Sequence, residues 1–526
     1  MALSPFYGKA VVAVSVSIAL TACSVTPNRL TDQQVMSNVL DNTELLTLDF
    51  APILQPIDLN DAFARIIKHN RDARLKAFEA VVSQGQLSVD QFDMLPELAV
   101  KAGYSQRSEY DASASVSYSD GSAASLGSNP SYSVSEGKSN INASIGATWD
   151  TLDFGLAYYR NKQQADRFLI AKERERKVVH TIMQQARNAY YRAVSAERLL
   201  NKIDPLITKV RSALSDSSRI EKMRIQSPME ALTYQRSLLE ALRTLQELRK
   251  DLMPAKTELA TLMGLNPAQS YELADVSRSS FKEPVMDLAV EDMERTALVQ
   301  RPELIEAQYQ ERITKEDVDS AFLTLFPSLS LNAGVYYNNS DYMKYNDWTS
   351  AGAGVNWNLM NVFRYGKIKQ LNNLKLAATK QQALATSMAV ISQVHIANIQ
   401  FLESKETYGL STDYLDVADR IYHQIISSQE SDNIGELTVI REELNTLLAE
   451  LRRDVAYAEL QNNFGKILVS IGLDPLPSGF GRMDLNQLSD AFEAMFSHWE
   501  QGDIKLISEE EILSASNAEK LLVKEG

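Results

Sequence analysis

A single cysteine, five histidines and a shortage of turn-forming residues set the first limits on this 526-residue chain. One thiol excludes an intramolecular disulfide and any cysteine-cluster metal site. The histidines (His69, His180, His395, His423, His498) are too scattered in sequence to suggest a metal centre. Glycine (21) and proline (15) supply about 7% of the residues against about 12% in average usage, so the elements between turns are long. No apolar run reaches the roughly 18 residues of a membrane-spanning helix, and the mean hydropathy is -0.23. Any membrane embedding therefore uses strands. A formal net charge of -15 argues against nucleic acid as a partner. No phosphate loop, HExxH, CxxC or GxSxG pattern occurs, so neither an enzyme nor a cofactor is expected. What remains, 44% hydrophobic and 23% charged, is the composition of a folded protein too long for one ordinary domain.

The first residues form a processing signal. One cation, Lys9, precedes the apolar run Ala10 to Leu20, and Leu20-Thr21-Ala22-Cys23 closes it. This resembles a bacterial lipoprotein signal. The resemblance implies removal of residues 1–22 and lipidation of Cys23, by palmitate among other acyl chains. Ser24 stands where an aspartate holds such lipoproteins at the inner membrane, so outer-membrane sorting is implied.

The rest of the chain is a duplication. Leu95-Pro96-Glu97-Leu98 is matched by Phe326-Pro327-Ser328-Leu329, and Asn70-Arg71-Asp72-Ala73 by Arg301-Pro302-Glu303-Leu304, both at an offset of 231 residues. Trp149 falls on Trp357, and Met263-Gly264-Leu265-Asn266-Pro267 on Ile471-Gly472-Leu473-Asp474-Pro475, both at an offset of 208. The first copy thus carries a 23-residue insertion. The expected organisation is a lipid-anchored segment 23–57, a first repeat 58–267, a linker 268–289, a second repeat 290–475 and a partly helical tail 476–526.

Each copy reads helix, strand, strand, helix, helix. First helices are expected over about Leu59 to Met94 and Val290 to Phe326, each stopped by a proline. Period-two alternation then predicts strands at about 97–106, 139–150, 328–338 and 349–360. Their lengths approach the roughly 9 to 11 residues of a tilted membrane strand. A soluble half-buried sheet would alternate in the same way. Aromatics favour the membrane, since Tyr104, Trp149, Phe154, Tyr337, Trp348, Trp357 and Phe363 lie at or near strand ends, where an interfacial girdle belongs. Between the first two strands, Ser105 to Ser139 contains 13 serines in 35 residues, a polar loop expected outside the cell.

Glycine and proline are absent from 156 to 204 and from 367 to 408, which predicts uninterrupted helices of roughly 74 and 63 Å. Leu437, Ile440, Leu444, Leu447 and Leu451 step by 3 and 4 like a coiled-coil seam. The charged run Lys172 to Lys177 reads as a solvated helix face, with an adaptor contact as the alternative. A C-terminal helix from Asp484 to Glu500 carries an apolar stripe suited to packing on the long helices.

Together the tandem repeat, the proline before each strand pair, the "TWDTLDFG" and "NWNLMNVFRYG" junctions at Thr148 and Asn356, and the "LMGLNP" and "SIGLDP" repeat ends resemble the TolC family of outer-membrane export channels. The resemblance covers about residues 58–475, leaving out the serine-rich loop and the tail. It implies a mainly α fold with membrane β: a homotrimer with a twelve-stranded barrel, four strands per chain, continued by a coiled-coil helical tunnel into the periplasm. It implies export as efflux or type I secretion of small compounds or of an unfolded protein. The implied partners are a periplasmic adaptor (membrane fusion) protein and an inner-membrane transporter, ABC or proton-driven. It also implies acidic side chains at a periplasmic constriction, in the helix turns near Ile225 to Glu230 and Asp432 to Glu436. Asp432 and Glu436 are the candidates, with Glu230 weaker. The same acids would suit solvated helix ends. The competing reading is a non-conducting, lipid-anchored structural or adhesive trimer.

Overall fold

The computed structural model describes residues 28–48, 53, 55–127, 130–223, 227–274, 281–429, 435–477 and 479–514. Cys23 and Asp432 lie outside them. The chain divides into two units, Met1–Leu54 and Gln55–Gly526. In the first, α1 (Asp32–Leu48) is a helix exposed from Asp32 to Leu46.

The second unit holds both repeats. Its first copy runs α2 (Leu59–His69), α3 (Arg71–Asp90), β1 (Glu97–Gln106), four two-residue strands β2 (Ala112–Ser113), β3 (Tyr118–Ser119), β4 (Ser122–Ala123) and β5 (Ser133–Val134), then β6 (Ser139–Asp150), α4 (Thr151–Lys222) and α5 (Pro228–Leu262). The second copy runs α6 (Val290–Gln300), α7 (Pro302–Leu323), β7 (Ser328–Asn338), β8 (Asp347–Asn356), α8 (Met360–Gln429) and α9 (Glu436–Ser470). Helix α10 (Leu485–Glu500) follows. The long strands form one antiparallel sheet in the order β1-β6-β7-β8.

The first helix of each copy is broken where one continuous helix was expected. Asn70 has extended backbone (φ -63°, ψ 126°), and its side-chain oxygen accepts from the amides of Asp72 and Ala73, capping α3. Arg301 takes the same conformation (φ -65°, ψ 127°) because a residue before proline is pushed out of the helical region. Each break meets the end of its repeat's last helix. There α5 and α9 stop in Schellman motifs, with Leu265 N–H donating to Ala260 O and Leu473 N–H to Leu468 O. The αL glycines are Gly264 (φ +67°) and Gly472 (φ +79°). Asn70 Nδ2 donates to Leu262 O, and Arg301 Nη1 donates to Val469 O. A Cβ on Gly264 would stand 2.7 Å from His69 O, and one on Gly472 2.8 Å from the Gln300 carbonyl carbon. Two sequence landmarks of each repeat are therefore the two sides of one joint.

The long helices exceed their expected lengths. With 72 and 70 residues, α4 and α8 each extend about 105 Å at about 1.5 Å per residue. Helix α4 continues through Pro205, whose neighbours Asn201 and Asp204 are exposed, so water reaches the carbonyl that the proline leaves unbonded. One buried cluster joins α4, α5 and α9 through residues such as Leu199, Ile203, Leu238, Leu245, Ile440 and Leu444, with Leu437 and Leu451 packed against it. The seam read from the sequence is thus the contact line of α9.

A second core gathers around the joints. Tyr457 and Phe281 stack at 4.2 Å, and Phe401, Phe464 and Leu460 are buried beside them. Helix α10, opened by an Asp484/Gln487 capping box, lays Phe492 and Phe496 on Phe63 of α2. The buried Arg187 guanidinium lies among Phe63, Phe464 and Phe496 and pairs with Glu500 at 2.8 Å. Beyond α10, Ile507 N–H donates to Thr296 of α6, so the tail binds the first helices of both copies.

The serine-rich loop has more order than its composition suggests. Strands β3 and β4 pair across Asp120-Gly121, both at positive φ (53° and 77°), the backbone of a type I′ hairpin turn. Strands β2 and β5 pair at its base.

Two predictions follow from the joints. Gly264→Ala and Gly472→Ala combine positive φ with a backbone collision and should each destabilise by about 1–3 kcal/mol, read as a lower melting temperature. Gly409→Ala, within α8 and with nothing within 4 Å, should instead be neutral or stabilising. His180 lies buried at the second joint. Burial, then the charges of Arg176 and Arg301, press its pKa down to about 3. A folded-state pKa below the unfolded value contributes stability that is complete above about pH 6.5 and is lost as pH falls toward 3. His180→Gln should flatten the stability profile across that window, by at most about 1.4 kcal/mol per pH unit, in melts taken from pH 7 to 4.

Candidate channel wall and helix-end acids

Register separates the sheet into two chemically distinct faces. On one, Leu98↔Ala147, Val100↔Ile145 and Tyr104↔Ile141 join β1 to β6. The same face continues through Ile145↔Val335 and Trp149↔Leu331 to Leu329↔Val355. Most of these apolar side chains are left uncovered by the described residues: Leu98, Val100 and Val355 are each 72% exposed. The opposite face carries Ser, Asn, Thr and Gly, as in Asn142↔Asn338, Thr148↔Asn332 and Ser330↔Gly354. Strands β1 and β8 end the sheet, each with one edge unpaired among the described residues.

Strand passes into helix without a loop at the end of β6. Asp150, its last residue, accepts from the amides of Leu152 and Asp153 as the N-cap of α4, and Ser328 Oγ donates to its other oxygen. In the second copy Asn358 Oδ1 accepts from Met360 N–H. There Trp357 Nε1 donates to Leu325 O, and Asn361 Nδ2 to Thr324 O. The two junction motifs are thus capping devices that point each long helix straight out of the sheet.

The aromatic candidates fall at two levels. Tyr104 and Tyr337 lie toward the hairpin-loop end on the apolar face, 65% and 47% exposed. Trp149, Phe154, Trp357 and Phe363 lie at the helix end, with Trp149 and Phe154 in contact at 5.6 Å between ring centroids. Trp357 follows β8, which stops at Asn356 rather than near 360. Trp348 departs from the group. It pairs with Tyr336 on the polar face and stacks on it at 5.6 Å and 13°. Counting by twos from Ala351 already places an even-numbered residue on that side.

Of the helix-end acids, Glu436 is the first residue of α9 and Glu230 lies in the first turn of α5. Both are exposed. The two ends are close together: Leu437 and Tyr234 pack on the same buried cluster. The Tyr234 hydroxyl pKa is raised by burial and then by the charge of Glu436. Asp432 lies outside the described residues.

No family model matches the chain. It is 22% identical over 327 residues to a probable outer membrane lipoprotein, SilC, of Salmonella typhimurium. The match covers 60% of this chain and 63% of that relative's length. Among solved structures it is similar to CusC (TM-score 0.59, 14% identity, 79% of this chain and 92% of that one), described there in terms of transmembrane channel formation. It is also similar to the Campylobacter jejuni CmeC outer membrane channel (TM-score 0.59, 14% identity, 83% and 90%). The open state of the Neisseria gonorrhoeae MtrE outer membrane channel gives 0.58 at 15% identity, covering 79% and 88%. At these identities the likeness is one of fold, and the chain has the fold of these outer-membrane channel proteins.

Proposed function

We propose that three copies of this chain close a barrel in the outer membrane and continue it as a helical duct for export from the periplasm. The observation that carries this reading is the four-stranded sheet with an exposed apolar face, a polar face and two free edges. In hydrocarbon each unpaired backbone group costs several kcal/mol, so the edges require neighbouring copies. Exposed apolar residues along α8, among them Leu371, Leu374, Leu384, Met388 and Ile396, give those copies a helical contact surface as well. From the level of Trp357 to that of Tyr337 is about ten residues of strand. At about 3.4 Å each and a tilt of about 40° this spans about 26 Å, the height of a membrane barrel's apolar band. The polar face then lines a water-filled lumen. Cys23 carries the lipid anchor in the outer membrane, and the helices extend into the periplasm to meet an adaptor protein and an inner-membrane transporter.

At the far helix ends, Glu436 and Asp432, with Glu230 of the first copy, form the acidic ring of a periplasmic gate. Three chains bring these carboxylates into a narrow space, where their field attracts cations.

Native mass spectrometry in mild detergent should give a trimer with an acylated Cys23, and the trimer should pass current in a planar bilayer. Trimers without conductance would return the structural reading, and monomers would overturn both. Replacing Asp432 and Glu436 together by alanine should reduce cation selectivity and weaken block by multivalent cations. Melting should barely change, since exposed helix-end charges contribute about 0.3–1 kcal/mol each. Unaltered selectivity and block would place the gate elsewhere.

A further inference from the structure

The polar face of the sheet is nearly uniform in its small side chains, and its exceptions coincide. Lys101 pairs with Ser144, Ser144 with Tyr336, and Tyr336 with Trp348. One row across all four strands thus holds the only lysine and the only aromatic residues of that face. Its carboxylates, Glu97 and Asp150, stand at the helix-proximal strand ends. Lys101 is exposed and makes no hydrogen bond or ion pair among the described residues. The next row toward the helices contains Gly146 opposite Gly334. A Cβ on Gly334 would stand 3.1 Å from the Tyr336 ring, so that ring lies down over the missing side chain with Trp348 stacked beside it.

We infer that this row forms a cationic aromatic collar inside the lumen that binds planar aromatic anions in transit. The inference rests on the barrel reading above, in which threefold assembly repeats each residue of the row at its own height around the lumen. Twelve strands about 4.8 Å apart and tilted about 40° close at a radius of about 12 Å, so inward tyrosine and tryptophan side chains narrow the path at this level. A wall of serine, asparagine and glycine offers passing solutes only hydrogen bonds that water also offers. The Tyr336–Trp348 pair adds ring faces and edges, which attract any planar π system. Three lysines without a facing carboxylate add a positive field that selects the anions among such solutes. The collar therefore discriminates at the outer mouth by shape and by a charge opposite to that of the acids at the periplasmic end.

Full-length trimers in a planar bilayer test this, with 2-naphthalenesulfonate, its saturated decahydro analogue and neutral 2-naphthol as probes of current block. In the wild type the aromatic sulfonate should block at the lowest concentration. Trp348→Ala should raise its half-blocking concentration about tenfold, while Trp348→Phe should keep it within about threefold of wild type. Lys101→Gln should weaken block by the sulfonate and leave block by 2-naphthol unchanged. Should Trp348→Ala yield no trimers, Trp348→Leu replaces it with the same expected rise. Equal block by the aromatic and saturated sulfonates, or a half-blocking concentration indifferent to both Trp348 and Lys101, would overturn the collar while leaving the channel intact. A wild-type trimer that passes no current would remove the channel reading and the collar with it.

Discussion

The unpaired strand edge is the constraint on which the rest of this structure depends. Each of β1 and β8 presents a row of backbone donors and acceptors with no partner among the described residues, a state that hydrocarbon does not tolerate. The same rule acts at the strand ends. A loop between β6 and α4 would carry free amides and carbonyls beside the membrane. Asp150 removes that need by serving as last strand residue and helix cap at once, its carboxylate taking two helix amides and the Ser328 hydroxyl. Trp357 and Asn361 do related work in the second copy by donating to carbonyls at the end of the incoming helical segment. The long helices begin where they do because hydrogen bonding allows no slack there.

Backbone satisfaction also explains why the duplication was legible. Of the paired landmarks, Asn70 with Gly264 and Arg301 with Gly472 are opposite sides of one joint. Each glycine supplies a left-handed residue and lets the neighbouring backbone approach. Each break residue turns its chain and caps the helix that ends against it. A joint with two such requirements keeps its glycine and its extended break in both copies, with asparagine in one and arginine in the other as the capping donor, whereas the helices between joints need only an apolar stripe and retain little visible similarity. Strand alternation was readable for the same kind of reason, since a two-faced sheet between lipid and water fixes every second residue.

What the sequence concealed is equally physical. The first helices carry helix-forming residues on both sides of Asn70 and Arg301. Their breaks are stabilised by contacts made about 190 and 170 residues away, to Leu262 and Val469. Pro205 is a poor stop because its cost depends on whether water reaches the freed carbonyl, which only the packing decides. The Asp120-Gly121 hairpin and the face of Trp348 were recoverable: the first from a dipeptide with a known turn preference, the second from parity. Both were masked by composition, serine content in one case and proximity to a strand end in the other.

The two helical cores differ in a way that bears on how such a protein works. Near the joints, broad aromatic contacts are pinned by directional bonds: Tyr457 donates to Lys282 O, Arg187 is held by Gln461 and Glu500, and the tail ties α2 to α6. Sliding there would break hydrogen bonds to buried groups, each costly to leave unmade. Toward the far ends, α4, α5 and α9 meet mainly through leucine and isoleucine, with ion pairs such as Lys209–Glu443 at partly exposed margins. Apolar contacts of that kind exchange neighbours at small cost, and exposed ion pairs contribute little to rigidity. The joint region is therefore held by more directional bonds than the helix ends that carry Glu230 and Glu436. On the export reading proposed above, a duct anchored in this way would open or close by displacing its helix tips while the strand wall stays unchanged.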